Sequence, residues 1–387
     1  MVGGGAVMMQ PLTAAPRDHL TEAQVRWLIQ EVPAIGTQHG CELLDQNLEV
    51  IEDISADFGG GSVSRRSYST VHGSANLIVS RDLDWGTAIV RPYLTLTDGV
   101  IEARFNLGAY FPSRPRRTTG RSLPAHAVVG YDVLDRLNDK TGTSYAVEAG
   151  TEVLTAVETV LVDRGYTRYI LDPAAAGKTL PSAYVSPMDD DKTWLGIVND
   201  LLAIIGYQGV WSDWNGYLRG EPYARPVDRP VEWVYDLAPE TSIISPERTY
   251  TQDLYAAPNR WVAIRSNDVD GATPVEGNGI FTWENLASGP TSIEARGGRT
   301  ITKTLRISAA DQAALEAQAW LAIDADMRIP QTITHSTGPN PLHWHFDKVT
   351  LDDPAAGGLG RWADALATDW TLPLDGGDMS HEWQVLA

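Results

Sequence analysis

Three histidines and one aspartate near the carboxyl end have residue types and a spacing that a metal site could use. They are His335, His343, His345 and Asp347. Because side chains alternate along a strand, a strand over 343–347 would place the last three on one face. Imidazole and carboxylate groups are ligands for divalent metals. We favour the alternative, a strand edge whose imidazoles bond to backbone groups or water, because no cysteine partner and no HExxH motif accompany them.

Carboxylates and tryptophans together could form a site for glycan hydrolysis, and the chain has 50 acidic residues and 13 tryptophans. A glycosidase needs two carboxylates about 5–10 Å apart. No single pair is distinguished here, and the tryptophans lie mostly inside apolar patterns, as core residues do. The sequence also lacks GxSxG, a P-loop and a GxGxxG after a strand. We therefore expect no catalytic residue, no cofactor and no enzymatic activity.

The dense cluster of basic residues lies in PSRPRRTTGR, which we predict to be an exposed loop. Its arginines are Arg114, Arg116, Arg117 and Arg121. Guanidinium groups pair in bidentate fashion with phosphates and carboxylates. The alternatives are a phosphate contact, a solvated loop and a salt bridge to an acidic neighbouring subunit. We favour the salt bridge, since the protein is strongly acidic elsewhere, and take the four arginines as candidate assembly contacts.

Two further features have structural interpretations. Asp189-Asp190-Asp191 could bind a cation, but acidic residues before a predicted helix are typical of its N-terminus. Cys41 is the single cysteine. We interpret it as a small buried hydrophobic residue, because no paired histidine is evident.

Charge and composition restrict the function classes. The 387 residues carry a net charge of -20, and residues 226–387 hold 23 acidic against 11 basic side chains. An acidic chain is unsuited to nonspecific nucleic-acid binding, and one cysteine permits no internal disulfide. No apolar run reaches the roughly 18 residues of a membrane span. The N-terminal segment lacks the cationic leader of a secretion signal.

The elements that position these residues divide into a β-rich part, a mixed part and a second β-rich part. β-branched and aromatic runs predict strands within 39–54, 67–80, 87–97 and 100–111. We interpret Gly59-Gly60-Gly61, between the first two of these segments, as a flexible break.

Helical spacing and turn residues define the rest of the chain. Amphipathic patterns predict helices over 22–31, after Thr151, over 194–205 and after Ser308. Asn215-Gly216 between apolar runs predicts a β-hairpin. Three prolines make 222–230 a predicted linker. Strands are expected again at 259–266 and 344–351.

Several segments together resemble tail hub proteins of long-tailed bacteriophages. They are DLDWG at 82–86, RPY at 91–93, LGAYF at 107–111, VVGYDVLDRL at 128–137, the helix-hairpin segment 189–222, NRWVAIRSND at 259–268 and TLPLDGGDMSHEW at 371–383. Each motif alone is unspecific, and their order carries the resemblance, which covers most of 40–387.

The resemblance implies an α+β, β-rich fold in which two tube-like antiparallel β-barrel or sandwich domains flank a mixed α/β insertion. The predicted division is a 1–38 N-terminal extension with a short helix, a first β-rich hub domain over 39–135, a helix-hairpin insertion over 136–225 and a second β-rich hub domain with one helix over 226–387.

The resemblance also implies a non-enzymatic virion protein at the tail tip, made in the host cytoplasm. Three copies would form a homotrimeric ring of pseudo-sixfold symmetry that joins the hexameric tail tube, or a distal tail protein, to trimeric tail-tip, spike or fibre proteins. Genomic DNA would pass through without specific binding, and we hypothesise that the acids of 226–387 line this channel. The alternatives are a glycan- or cell-wall-degrading tail-tip enzyme and a receptor- or carbohydrate-binding tail-tip module.

Overall fold

The computed structural model describes nine segments of the chain. They are residues 22–32, 35–118, 125–188, 191–237, 242–252, 257–266, 275–327, 331–353 and 362–386. Helix α1 comes first, at Glu22–Gln30, and confirms the predicted helix. It buries Val25, Leu28 and Ile29, which lie on one face because they are three and four residues apart.

Eight strands follow in the first β-rich part. They are β1 (Gly36–Leu44), β2 (Val50–Asp53), β3 (Phe58–Arg66), β4 (Gly73–Val79), β5 (Ile89–Thr97), β6 (Glu102–Asn106), β7 (Tyr110–Thr118) and β8 (Ala125–Asp132). Burial alternates along β4, as expected for a strand with one covered face.

The middle part combines short strands with helices. Its elements are α2 (Leu134–Leu137), β9 (Tyr145–Val147), α3 (Val153–Asp163), β10 (Tyr169–Leu171), β11 (Tyr184–Ser186), α4 (Trp194–Ile204), β12 (Trp211–Ser212) and β13 (Leu218–Gly220). Thr193 caps α4 by accepting a hydrogen bond from the Gly196 amide. Strands β12 and β13 pair antiparallel around Asn215-Gly216, so the predicted hairpin is confirmed.

The last part contains β14 (Val231–Asp236), β15 (Ile244–Gln252), β16 (Arg260–Arg265), β17 (Val275–Glu276), β18 (Gly279–Glu284), β19 (Thr302–Ile307), α5 (Gln312–Met327), β20 (Gln331–Thr337), β21 (Asp347–Asp352), β22 (Trp362–Pro373) and β23 (Met379–Val385). Strands β16 to β19 form their own four-stranded sheet. Helix α5 packs on that sheet through Ala314, Leu315 and Ala319. No helix in the described segments is long and apolar enough to cross a membrane.

The two β-rich parts share one sheet. Among the described residues it has 14 strands, in the order β15-β20-β23-β22-β3-β4-β8-β7-β5-β1-β2, with β14, β21 and β6 paired beside this path. The connection between the parts is the antiparallel pair β3 and β22, with Arg65 opposite Trp370 and Ser64 opposite Thr371. We call this pair the seam.

Apolar burial follows the same organisation. One core cluster runs beneath both β-rich parts and includes Val63, Phe105, Trp344 and Trp383. A second cluster holds the middle part together through α3 and α4. Each fully buried Leu, Val or Phe contributes about 1.5–3 kcal/mol. The fold is thus β-rich with few helices, as expected, while the division into four domains stays a prediction.

The glycine run 59–61 corrects one interpretation, because it lies inside β3 and is not a flexible break. The register shifts between Phe58 and Gly61, which makes the run a β-bulge. At Gly61 φ is +133°, and an added Cβ would lie 1.9 Å from the Asn76 carbonyl oxygen. A glycine is needed there because the neighbouring backbone leaves no room for a side chain.

The segment rich in arginine and proline corrects a second interpretation. Residues 110–118 form strand β7 and not a loop, although they are exposed as predicted beyond Pro112. β7 pairs with β8 along its length, but with β5 at Tyr110 alone among the described residues. Proline and charged residues are typical of such an edge, since proline donates no ladder hydrogen bond.

Candidate assembly surface

Eight neighbouring strands of the large sheet present a continuous surface. Their order is β7-β8-β4-β3-β22-β23-β20-β15, four strands from each β-rich part. Buried and accessible side chains alternate along most of them, so one layer of side chains packs on the core and the other faces away from it. We call the layer that faces away the open face.

Serine and threonine are the most frequent residues of the open face. They are Ser62, Ser64, Ser74, Thr249, Thr251, Thr332, Thr334, Ser336, Thr371 and Ser380. On β4 and β8 the open face also carries the apolar side chains of Ile78, Ala127 and Val129. At the seam, Ser64 Oγ and Thr371 Oγ1 lie 2.9 Å apart. The charged residues in register on this face are Arg66, Arg114, Arg116, Asp369 and Glu382. The open face is therefore polar, with nearly balanced charge.

A groove of about 730 Å³ crosses the open face beside the seam, lined among others by Thr334, Asp369, Thr371 and Glu382. Asp369 and Glu382 are opposite each other on neighbouring strands, a position that puts two Cβ atoms about 5 Å apart. Trp370 also borders the groove, but its ring is buried and its Nε1 donates to the Trp344 carbonyl. The groove thus offers two carboxylates, and Tyr68 is a partly exposed aromatic residue on its wall.

The predicted arginine cluster forms the free edge of β7. Arg114 and Arg116 face the open side opposite Val129 and Ala127, and both are exposed. Arg117 pairs with Asp82 at 3.5 Å. Within the described part of the chain no ion pair involves Arg114 or Arg116. Arg121 lies outside the described residues. The edge therefore presents guanidinium groups that are available to an acidic partner.

The histidine candidates fall into two groups, because residues 343–346 form an irregular segment that bends at 345–346 and not the expected strand. His343 Nε2 lies 2.5 Å from Tyr235 Oη, and its Nδ1 lies 3.3 Å from Asp347. His335 stacks on His381 with ring centroids 5.0 Å apart. The strand over 343–347 that would place three of these side chains on one face is therefore not formed, because the chain bends before the strand that begins at Asp347.

His345 belongs to the other group. It stacks on Trp211 at 5.0 Å and lies 4.8 Å from His72. Burial, aided by the Arg65 guanidinium, lowers the pKa of His345 well below its ordinary value. In the described segments no group of three or more His, Cys, Asp or Glu is arranged to hold a metal ion. The expectation that these residues bind no metal stays a prediction.

The other sequence candidates have local roles. Asp191 pairs with Lys140 at 2.5 Å, while Asp189 and Asp190 lie outside the described residues. Cys41 is fully buried, and burial together with Glu42 raises the pKa of its thiol. A neutral, inaccessible thiol is inert as a nucleophile.

A buried charged centre was not anticipated from the sequence. Arg65, 2% exposed, lies over the Trp344 ring at 4.7 Å. Burial lowers the pKa of Arg65 to about 10, opposed by Asp132 and other nearby acids. Asp132 accepts hydrogen bonds from the Gly73 amide and the Ser212 hydroxyl. The sequence signal is faint: Arg65 occupies an inward position in the alternation of β3, next to outward Arg66.

Comparison with known proteins yields fold matches alone, since no family model and no curated protein matches the chain. A tail protein from Neisseria meningitidis has a TM-score of 0.59 at 11% identity, covering 90% of this chain and 96% of that one. The 43 kDa tail protein of prophage MuSo2 from Shewanella oneidensis has a TM-score of 0.59 at 11% identity, covering 91% and 98%. A chain of the Francisella PdpA–VgrG complex has a TM-score of 0.52 at 9% identity, covering 94% and 60%.

Proposed function

We propose that this chain, which has the fold of phage tail proteins, is a tail hub that joins the tail tube to the tail tip. The observation that carries the proposal is the eight-strand run with four strands from each β-rich part. At its two ends, β15 and the part of β7 beyond Tyr110 each have a neighbouring strand on one side alone among the described residues. Two similar halves in one chain suit a position between a hexameric tube and a trimeric tip, because three copies then supply six comparable units.

The two ends of the run are the proposed joints between copies. Among the described residues, β7 offers one free edge beyond Tyr110 and β15 offers the other, so each copy can meet its neighbour head to tail and close a ring of three. Pro115 lacks an N–H and interrupts a backbone ladder at the β7 edge. Arg114, Arg116 and Arg117, with the sequence-predicted Arg121, therefore form this joint through their side chains. The acidic 226–387 part of the next copy supplies the partners.

The open face is the proposed wall of the DNA channel. Hydroxyl groups stay hydrated and carry no charge, so a polyanion passes them without a strong attraction. On the open face, Asp369 and Glu382 are the described acids in register. The acidic lining expected from the composition of 226–387 is therefore replaced, in this proposal, by a nearly neutral hydroxyl lining.

The remaining parts of the proposal concern the proteins that the ring binds and its location in the virion. The ring binds a tail-tube or distal tail protein on one side and tip, spike or fibre proteins on the other, in the virion tail. The Francisella match, a chain from a complex with VgrG, supports a place in a multiprotein assembly. Residues 39–135 and 226–387 are the proposed hub domains, and 136–225 is the insertion.

The test is assembly of the purified protein with and without tail tubes. Sedimentation and electron microscopy should give a three-copy ring, alone or on tubes. The variant Arg114→Ser, Arg116→Ser, Arg117→Ser should weaken assembly at least tenfold while the circular dichroism spectrum stays unchanged. A matched control removes three arginines in or beside the four-stranded sheet, Arg260, Arg299 and Arg306, and should assemble normally. Normal assembly of the first variant would show that the arginine edge is not the joint.

The enzyme alternative is separable by a zymogram on purified cell wall. The protein should clear no wall material, and Asp369→Asn with Glu382→Gln should behave the same. Clearing that this double variant abolishes would identify the groove as an active site and replace the hub proposal.

A further inference from the structure

A partly open pocket lies where several parts of the chain meet. It has a volume of about 200 Å³ and is bordered by the turn after β3, the segment before the hairpin, residues 223–229, helix α5, residues 345–346 and Leu366 of β22. We call it the junction pocket. The proposed joints do not use it, and it shares Tyr68 and Ser69 with the groove beside the seam.

Its lining combines apolar walls with a compact polar group. The apolar residues include Leu321, Ala325 and Leu366. The polar residues include Ser67, His72, Gln208, Arg229, Asp324 and His345. Two pairs among them are in contact: the rings of His72 and His345 are 4.8 Å apart, and Arg229 Nη2 donates to Gln208 Oε1 at 3.3 Å. Apolar walls with a few convergent polar groups are typical of small-molecule sites.

Three buried polar atoms at this pocket have no hydrogen-bond partner among the described residues. They are Ser67 Oγ, His72 Nδ1 and His345 Nδ1. Buried polar atoms in native proteins nearly always have a partner. Three orphans beside one cavity therefore indicate that a bound molecule supplies the missing hydrogen bonds.

The local charge favours an anion. The guanidinium groups of Arg65 and Arg229 add to burial in lowering the pKa of His345, so the pocket lies in a positive field. Asp324, the acid on the wall, accepts a 2.6 Å hydrogen bond from Tyr223 Oη, and burial raises its pKa. Neutral imidazoles and the serine hydroxyl can each donate one hydrogen bond to an anionic oxygen.

We propose that the junction pocket binds a small free carboxylate with a short apolar chain. The carboxylate oxygens accept hydrogen bonds from Ser67, His72 and His345. The chain of the ligand packs against Leu321 and Ala325. The inference is independent of the hub proposal, since it concerns a single copy of the chain.

The test uses sodium acetate, butyrate and hexanoate, with sodium chloride at equal ionic strength as reference. Calorimetry and thermal unfolding should show binding that tightens about fourfold for each added methylene until the cavity is filled. The ¹⁵N signals of His72 and His345 should shift on binding.

Two variants make the result specific. Ser67→Ala removes an orphan hydroxyl, so it should fold normally and bind butyrate several-fold more weakly; Ser64→Ala on the open face is its matched control. Leu321→Trp should fill the pocket and abolish binding. The proposal would be overturned if the carboxylates gave no more binding or stabilisation than sodium chloride. It would also be overturned if Leu321→Trp bound butyrate as well as the wild type does. If inorganic phosphate binds and the affinity for carboxylates does not depend on their chain length, the proposed apolar part of the ligand would be wrong.

Discussion

Arg65 is the residue on which several parts of the fold converge. It lies at the seam, over Trp344 of the second β-rich part and within 6.0 Å of Trp211 in the hairpin. Asp132 on β8 is fully buried nearby, and burial raises its pKa against the opposing effect of Arg65. A buried charge is tolerated where opposite charge and hydrogen bonds compensate its desolvation.

Arg65→Met should therefore destabilise the protein by about 3 kcal/mol, because it leaves the buried Asp132 without its cation. Urea unfolding at neutral pH measures the loss. The adjacent, exposed Arg66→Met is the control and should change the free energy of unfolding by about 0.5 kcal/mol or less. In Arg65→Met with Asp132→Asn the loss should be smaller than in Arg65→Met; an equal loss would show that the two groups are not coupled.

The buried histidines determine how the protein responds to acid. Burial, aided by His343, lowers the pKa of His335 from 6.5 to about 3. Between these values the unfolded chain binds a proton that the folded chain does not. The contribution of His335 to stability is thus constant above about pH 6.5 and falls as the pH drops toward 3.

His335→Phe should remove this part of the pH dependence. Relative to wild type, the variant should gain up to about 1.4 kcal/mol of unfolding free energy per pH unit between pH 6 and 4. Urea unfolding across that range, compared with pH 7.5, measures the difference. The exposed face of β20 offers a control in Thr334→Val, whose stability difference from wild type should not vary with pH. A pH-independent difference for His335→Phe would contradict the lowered pKa.

At the scale of elements, β3 and β7 show that residues typical of loops can also form strands. Three glycines in β3 form a bulge, and two prolines with three arginines form an edge strand. In both cases the residues break regular pairing locally without ending the strand. The element persists because its neighbours, β4 and β8, hold the rest of its length.

Gly61→Ala should destabilise the protein by more than about 2 kcal/mol, because it adds a Cβ against the Asn76 carbonyl at a positive φ. Gly59→Ala is the matched control in the same run: its Cβ would lie 3.1 Å from the Ile78 side chain, and its φ is not in the positive region. Thermal or urea unfolding should show a loss of about 1 kcal/mol or less for the control. Similar losses of unfolding free energy for Gly61→Ala and Gly59→Ala would mean that the bulge does not require glycine at position 61.

At the scale of the whole molecule, the seam is the decisive feature. β3 and β22 join residues that are 307 positions apart in the chain, and one apolar core extends across them. The eight-strand run and its open face exist because of this pairing.

Ser64→Cys with Thr371→Cys should form a disulfide across the seam under mild oxidation, since the two hydroxyl oxygens are 2.9 Å apart. The native Cys41 is fully buried and should not compete. Mass spectrometry after digestion detects the cross-link, and closing so long a loop should stabilise the fold by about 2–4 kcal/mol. Ser64→Cys with Ser380→Cys, one strand farther away, is the control that should stay reduced. Cross-linking in the control alone would show a different register.

The sequence by itself determined the local elements and the resemblance to phage tail proteins. Helices α1 and α4, the Asn215-Gly216 hairpin and most strands follow from periodicity and turn residues, which act over a few positions. The resemblance rests on ordered motifs, and the shared fold confirms it. The ring, the channel and the domain division stay proposals.

The tertiary structure alone decided the seam, the buried Arg65 centre, the bent segment at 343–346 and the junction pocket. Strand partners at a separation of 307 residues depend on packing over the whole core, and local propensity does not specify them. The desolvation of Arg65 and of the histidines depends likewise on side chains brought in from distant strands. The physical reason is the same in each case: burial and pairing are properties of neighbours in space.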